Sequence, residues 1–290
     1  MNQTHSGREA LAGWLRKQPS SFYESAPLLR RLQESAWKGE DWSETRTRLE
    51  NFGRVAAQEL DAWVIENNEG GHLPQLKGWD PIGRRETPVQ HHPSWREAGR
   101  LIYGSGIMSA YGTHPQPHRL ILSLFYLSCH VGEGGHNCPL ACTAGAIRGL
   151  QSLGSNLQKE RYLERLLDSN FDSNFTGAQF LTELQGGSDV GANATRAVPL
   201  SDGTWRLHGE KWFCSNVDAD VALVTARYDE QVEGTRGLGL FLVPAKKPDG
   251  RWNDYRVRRL KDKLGTRSMT SGEVDFVGTY AEALGPVEQG

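Results

Sequence analysis

Gln179-Phe180-Leu181-Thr182-Glu183-Leu184-Gln185-Gly186-Gly187-Ser188-Asp189 reads as a short apolar strand that runs into a polar, glycine-rich loop. A second stretch, Gly209-Glu210-Lys211-Trp212-Phe213-Cys214-Ser215-Asn216, joins two adjacent aromatics to a hydroxyl. Gly186 and Gly187 can take φ values closed to other residues and let backbone approach a ligand closely. Thr182, Ser188 and nearby backbone N–H groups supply donors for an anionic or carbonyl-rich group. Two aromatics and a hydroxyl suit a flat ring system with one polar edge. Each stretch also has an ordinary reading. A Gly-Gly-Ser-Asp loop is most often a surface turn, and an aromatic strand is usually core.

Around these stretches the hydrophobic period is two. Strands are expected over 175–182, 194–200, 205–215, 221–228, 237–243, 255–260 and 272–277, with turn signals such as Ser201-Asp202-Gly203 and Pro248-Asp249-Gly250 between them. Seven short strands with no intervening helix predict an antiparallel barrel or sandwich.

Upstream the period is helical. The first fifty residues are charged and poorly patterned, apart from one amphipathic helix expected to start at Pro27-Leu28-Leu29-Arg30-Arg31-Leu32. Phe52, Val55, Ala56, Leu60, Trp63 and Val64 then mark one apolar helix face, which the polar run from Asn67 to Pro74 ends. Residues 78–93 read as a loop with one extended segment. A helix follows with Ser94 as its cap and Trp95, Ala98, Leu101 and Ile102 inward. Residues 120–147 form two helices parted by Gly132, Gly134 and Gly135, the second with Pro139 in its first turn. Ser155 and Gln158 make a capping box for a helix through Leu167. The class is therefore α+β, with a helical domain over 1–172 and a β-domain over 173–290.

At 290 residues and 37% hydrophobic content the chain can bury two cores. A net charge of −2 gives no global pull toward nucleic acid or anionic membrane. No apolar run approaches the length of a bilayer span, and Met1-Asn2-Gln3-Thr4-His5 has neither region of a signal peptide. A cytoplasmic location is the expectation. Cys129, Cys138, Cys142 and Cys214 form no Cys-x-x-Cys pair and no disulfide framework, so buried, inert thiols are expected. His91 and His92 are adjacent and diverge on any regular element, so no metal site is assigned to them. Between Arg251 and Arg267 seven Lys/Arg stand against two Asp, which reads as a solvated or partner-facing edge. No dinucleotide fingerprint follows a strand, and neither a P-loop nor a nucleophile elbow is present.

Three ordered blocks resemble the acyl-CoA dehydrogenase flavoprotein family: Thr182-Glu183 with Gly187-Ser188-Asp189, Lys211 to Asn216, and Leu260 to Ser268 followed by Gly272-Glu273-Val274-Asp275-Phe276. The details of these blocks, with His92-Pro93-Ser94-Trp95, are most similar to the AidB-like branch. The resemblance covers the chain from about residue 51 onward. It implies FAD, held by Gln179, Leu181 and Thr182 along the isoalloxazine, by Gly187 and Ser188 near the pyrophosphate, and by Phe213, Cys214 and Ser215 at the flanking ring and its N5 side. Many relatives carry Trp where Phe213 stands, whereas here Trp212 is one residue earlier. It further implies oxidation of the Cα–Cβ bond of an acyl-CoA thioester, or a related small substrate, with no membrane partner. The AidB-like branch implies an alternative, DNA binding or protection in the alkylation response. In the family the base is a carboxylate from a C-terminal helical domain, and that domain is expected to be absent from this chain, as in a fragment. No residue is therefore assigned as catalytic. Whether the chain forms a homo-oligomer stays open.

Overall fold

The computed structural model describes residues 3–15, 17–37 and 40–290; Met1 and Asn2 of the N-terminal pentapeptide lie outside them. The first part is helical: α1 (Gln3–Leu15), α2 (Pro27–Ala36), α3 (Glu40–Val55), α4 (Asp61–Asn67), α5 (Pro93–Gly104), α6 (Ala110–Thr113), α7 (Pro117–Cys129), α8 (Asn137–Leu153), α9 (Asn156–Gln158) and α10 (Glu164–Leu167), with a short antiparallel pair, β1 (Gln75–Leu76) and β2 (Val89–Gln90), before α5.

Phe52, Ala56, Leu60 and Val64 are all buried and recur every four residues. An α-helix turns in 3.6 residues, so such a stripe would drift off one face. The π-helical turn Ala56–Leu60, which joins α3 to α4, widens the helix and keeps the stripe in the core. The same device recurs between α9 and α10, where buried Gln158, Tyr162 and Leu166 straddle the π turn Lys159–Leu163. The capping box at Ser155 and Gln158 forms as its sequence predicts. The cap of α5 does not. It is His92, with Pro93 at the first position, and Ser94 N–H points at His92 Nδ1 from 3.3 Å. Proline there needs no N–H partner, which favours a start one residue earlier than Ser94 as cap allows.

The second part is a barrel of β4 (Arg196–Pro199), β5 (Trp205–Ser215), β9 (Ser271–Ala283), β7 (Leu238–Pro244) and β6 (Val221–Arg227), closed because β6 meets both β7 and β4. β3 (Gly177–Phe180) adds beside β6, and β8 (Tyr255–Leu260) beside β9. The expectation of an antiparallel sheet needs correction at one place. β3 runs parallel to β6, pairing Gly177 with Val221 through Phe180 with Val224, and β4 touches β6 in parallel at Arg196 and Arg227. Parallel neighbours need a long crossover, and the β4–β5 hairpin with its flanking loops supplies it.

β6 is buried on both faces. Val221 and Leu223 join the helical core, together with Leu242 and Leu284, while Ala222 and Val224 line the barrel with Phe241 and Val243. Period-two alternation thus fastens the two parts together along one strand. Among the described residues no helix is long and apolar enough to cross a membrane.

Candidate functional site

β3 and β5 bring the two opening stretches into contact. Trp212 N–H donates to Thr182 O at 2.8 Å, and Lys211 Nζ and Asn193 Nδ2 donate to Leu181 O at 3.0 and 2.9 Å. Lys211 Nζ also lies 2.8 Å from Glu183 Oε1. The remaining Glu183 lone pairs take Ala194 N–H at 2.7 Å and Thr195 N–H at 3.0 Å. Burial alone raises this carboxyl, but hydrogen bonds from Lys211, Ala194 and Thr195 outweigh it and bring the pKa down to about 2. Glu183 is a structural anchor of the loop. Asn216, at φ 54°, ends β5 and donates to Gly177 O at 3.0 Å, joining the base of β3 to the same strand.

This framework fixes the loop and leaves apolar surface uncovered: Leu181 is 36%, Leu184 62% and Phe213 51% exposed. Pairing of β5 with β9 is irregular between Lys211 and Cys214, and that bulge re-aims Trp212 and Phe213. Lys261 Nζ sits 3.5 Å from the Trp212 ring centroid and 4.4 Å from that of Phe213, so an ammonium covers part of the aromatic pair. A Cβ on Gly187 would meet Thr182 Oγ1 at 2.5 Å, so the loop closes over Thr182 only without a side chain there. On the other side, Gln179 Nε2 donates to Cys142 O, and a Cβ on Gly145 would reach that Nε2 at 2.8 Å. Small residues of α8 thus let Gln179 lie close against that helix.

Of the residues read from the sequence, Gly187 packs on Thr182, Gln179 contacts α8, Ser215 lies by Cys138, Leu181 and Phe213 are partly exposed, and Ser188 is on the exposed loop. Cys214 stands apart. Its side chain is fully buried in the barrel, and burial drives its thiol far above the usual range. The other cysteines correct the expectation of buried thiols: Cys129 is exposed, and Cys138 and Cys142 are half-buried. A hydrogen bond from Cys142 pulls Cys138 down to about 7, against burial and with help from the Ser215 hydroxyl. That bond and burial push Cys142 up.

The basic run is largely neutralised by the chain's own acids. Arg256 and Arg258 pair with Asp275 on β9, Arg258 also with Glu210, and Arg259 and Lys261 share Glu273. Nothing in the sequence separation of Glu183, Asn193 and Lys211 reveals that they meet, although Lys211 lies inside one of the quoted motifs.

Two cavities, of about 710 and 600 Å³, lie at the junction of helices and barrel. Asp218 borders both. It accepts from His91 Nε2 at 2.7 Å and from Thr270 Oγ1 at 2.7 Å, and His91 stacks on Trp95. Burial pushes neighbouring Asp220 up to about 6.

A helical bundle joined along one strand to a small barrel, with a glycine loop locked to an aromatic strand, defines the class of fold, and known proteins share it. The adaptive response protein AidB N-terminal domain matches residues 16–173, and the acyl-CoA dehydrogenase middle domain matches residues 178–278. Acyl-CoA dehydrogenase family member 11 of Caenorhabditis elegans is 31% identical over 281 residues, 92% of this chain and 45% of that protein. Putative acyl-CoA dehydrogenase AidB of Escherichia coli is 36% identical over 223 residues, 73% of this chain and 40% of that protein. The solved structure of the C. elegans protein in complex with C11-CoA superposes with a TM-score of 0.81 at 30% identity, covering 92% of this chain and 47% of that one. The chain belongs to the acyl-CoA dehydrogenase family, in its AidB-like branch. It spans about half the length of the curated relatives it matches.

Proposed function

We propose that the chain binds FAD between the Gly186–Gly187 loop, the outward side of β5 and α8. There it forms part of the site of an oxidoreductase that acts on the Cα–Cβ bond of acyl-CoA thioesters. The observation that carries this reading is the cross-link of the two motifs through Thr182 O, Leu181 O and the Glu183–Lys211 pair. That cross-link spends several polar groups on holding Leu181 and Phe213 as uncovered apolar surface beside a loop of small residues, and such a surface fits a flat heteroaromatic ring. Bound there, FAD would supply the two-electron sink for oxidation of the acyl chain.

The chain's own residues have separable tasks. Phe213 offers a ring for stacking, Thr182 a hydroxyl toward the polar rim, and Ser215 a hydroxyl toward the N5 side. Gly187 and Ser188 give close backbone approach and a donor for the pyrophosphate. The C. elegans relative was solved with an acyl-CoA, which supports that substrate class. DNA binding, the alternative from the AidB-like branch, has less behind it, because the basic edge of β8 is matched by Glu210, Glu273 and Asp275.

Titration of the purified chain with FAD, followed by absorbance, tests the proposal. Thr182→Ala combined with Ser188→Ala is expected to weaken binding about tenfold or more, since a hydrogen bond to a charged group is worth roughly 1.5–3 kcal/mol. Unchanged occupancy in the double variant would remove the site assignment.

A further inference from the structure

His72 and His92 stack face to face, with ring centroids 3.6 Å apart and planes 5° from parallel. One ring nitrogen of each and one Glu66 carboxylate oxygen all lie within 4.8 Å of one another. Glu66 belongs to the last turn of α4, His72 to the polar turn after it, and His92 to the position before α5. We propose that Glu66, His72 and His92 form a site for a divalent transition-metal ion of the zinc type, which staples the two ends of the 73–91 excursion to the helical domain.

The hydrogen bonds around His72 leave one of its ring nitrogens free for an ion. His72 Nδ1 lies 2.8 Å from Glu66 O. A carbonyl only accepts, so Nδ1 carries the proton and Nε2 keeps its lone pair. His92 Nδ1 lies 2.7 Å from Ser94 Oγ, and Ser94 Oγ in turn donates to Asn67 Oδ1 at 3.4 Å. His92 Nδ1 also accepts from Ser94 N–H at 3.3 Å, so ligation through Nε2 requires the ring proton to move to Nδ1, where Ser94 Oγ can accept it. Asn67 is buried and held by its own bond to Gly134 O at 2.7 Å, so the relay ends on fixed backbone. Imidazoles anchored through Nδ1–H to protein oxygens are the usual outer arrangement of metal-ligating histidines.

Two imidazole nitrogens and a carboxylate oxygen suit zinc, with a fourth position for water. A cavity of about 150 Å³, lined by His72, Gln90, His91 and His92, borders the cluster and leaves room for it. Tetrahedral zinc with bonds of 2.0–2.1 Å places its ligand atoms about 3.4 Å apart. Binding therefore draws the three atoms inward by roughly 1 Å and tilts the rings out of their stack. Half-exposed side chains at the edge of a cavity can make that adjustment. Among the described residues no cation pairs with Glu66, which leaves its carboxylate for the ion. The far end of the same excursion is pinned to the barrel, where Arg85 donates to the carbonyls of Asn253 and Tyr255. A metal at its root and Arg85 at its tip would hold both ends of the segment that walls the 710 Å³ cavity.

The test uses the chain stripped with EDTA and titrated with Co²⁺, read by visible absorption, then with Zn²⁺ in competition. One Co²⁺ per chain, displaced by Zn²⁺, is expected, with a rise in melting temperature on adding Zn²⁺. His72→Asn and Glu66→Gln should each weaken uptake at least tenfold. Ser94→Ala should weaken it about tenfold, as loss of an outer partner does. His118→Asn, on an exposed part of α7, should leave it unchanged. Circular dichroism checks that each variant folds, and the wild-type titration decides the matter even where one does not. Absence of saturable uptake by the wild-type chain, or full uptake by both His72→Asn and Glu66→Gln, would overturn the site. Neither result bears on the flavin proposal.

Discussion

Lys211 Nζ lies 2.8 Å from Glu183 Oε1 with both side chains shut away from solvent, 0% and 4% exposed. Each partner has further bonds: Lys211 to Leu181 O, and Glu183 to Ala194 and Thr195 N–H. A buried pair with its remaining hydrogen bonds filled gives little net stability, but removing one partner strands a charge. Lys211→Met should therefore cost on the order of 3–5 kcal/mol in denaturant unfolding. Because the pair fixes the loop after β3, flavin retention should fall with it. A loss below about 1 kcal/mol, the worth of an ordinary exposed pair, would show that the pair does not lock the loop.

The same carboxylate sets the acid limb of stability. Its pKa falls from 4.5 unfolded to about 2 folded, so its contribution is complete above about pH 4.5 and is lost as pH drops toward 2. Asp220 acts in the opposite sense. Raised by burial from 3.8 to about 6, it binds a proton more readily in the folded chain, so its contribution declines as pH rises from about 4 to 6. On these two groups, urea midpoints measured across pH 3 to 8 should peak between about pH 4 and 4.5. Asp220→Asn should flatten the limb between 4 and 6 and leave the acid limb in place.

The barrel strands were legible because a period of two survives wherever one face is buried, as in Tyr255–Leu260. The parallel union of β3 with β6 was not, since side-chain alternation is the same in either direction and orientation is set by distant chain. The stripe of Phe52, Ala56, Leu60 and Val64 announced a helix. Its four-residue interval also carried the π turn, a signal that simple helical spacing overlooks. At the site, Thr182, Gly187 and Phe213 could be picked from their motifs. Cys214 could not be told from its neighbours until the β5 register turned it inward.

Phe213 and Cys214 offer a paired test of that register. Phe213→Ala should weaken flavin binding by roughly two- to tenfold, the worth of an aromatic stack, with little change in the unfolding midpoint of the flavin-free chain. A fully buried Cys214→Asp should destabilise the barrel strongly by burying a carboxylate without a partner. Equal effects of the two changes on stability would contradict the alternation of β5.

Arg85 bonds to two barrel carbonyls and lies 5.7 and 5.6 Å from the Trp252 and Tyr255 ring centroids. Lysine cannot reproduce a planar fork that donates and stacks at once. Arg85→Lys should therefore accelerate proteolysis between residues 76 and 89 several-fold under native conditions, mapped by mass spectrometry. An unchanged cleavage rate would mean that the excursion is held without its tip.

The remaining prediction concerns turnover by this polypeptide itself. Oxidation at Cα–Cβ requires removal of the α-proton, and a placed base typically contributes about 10²–10⁴-fold. Two carboxylates near the two motifs, Glu183 and Glu133, are already committed. Glu183 holds Lys211, and Glu133 accepts N–H bonds from Gly135, Asn137 and Cys138. The FAD-loaded chain, mixed anaerobically with a range of acyl-CoAs, is therefore expected to bleach only at a rate far below that of an enzyme. Cys138 lies by Ser215 with its pKa brought to about 7. Rapid bleaching that rises through pH 7 and disappears in Cys138→Ser would make that thiolate the base. Rapid bleaching that persists in Cys138→Ser would mean that a carboxylate leaves its structural bonds on substrate binding. Either form of rapid bleaching would overturn the expectation.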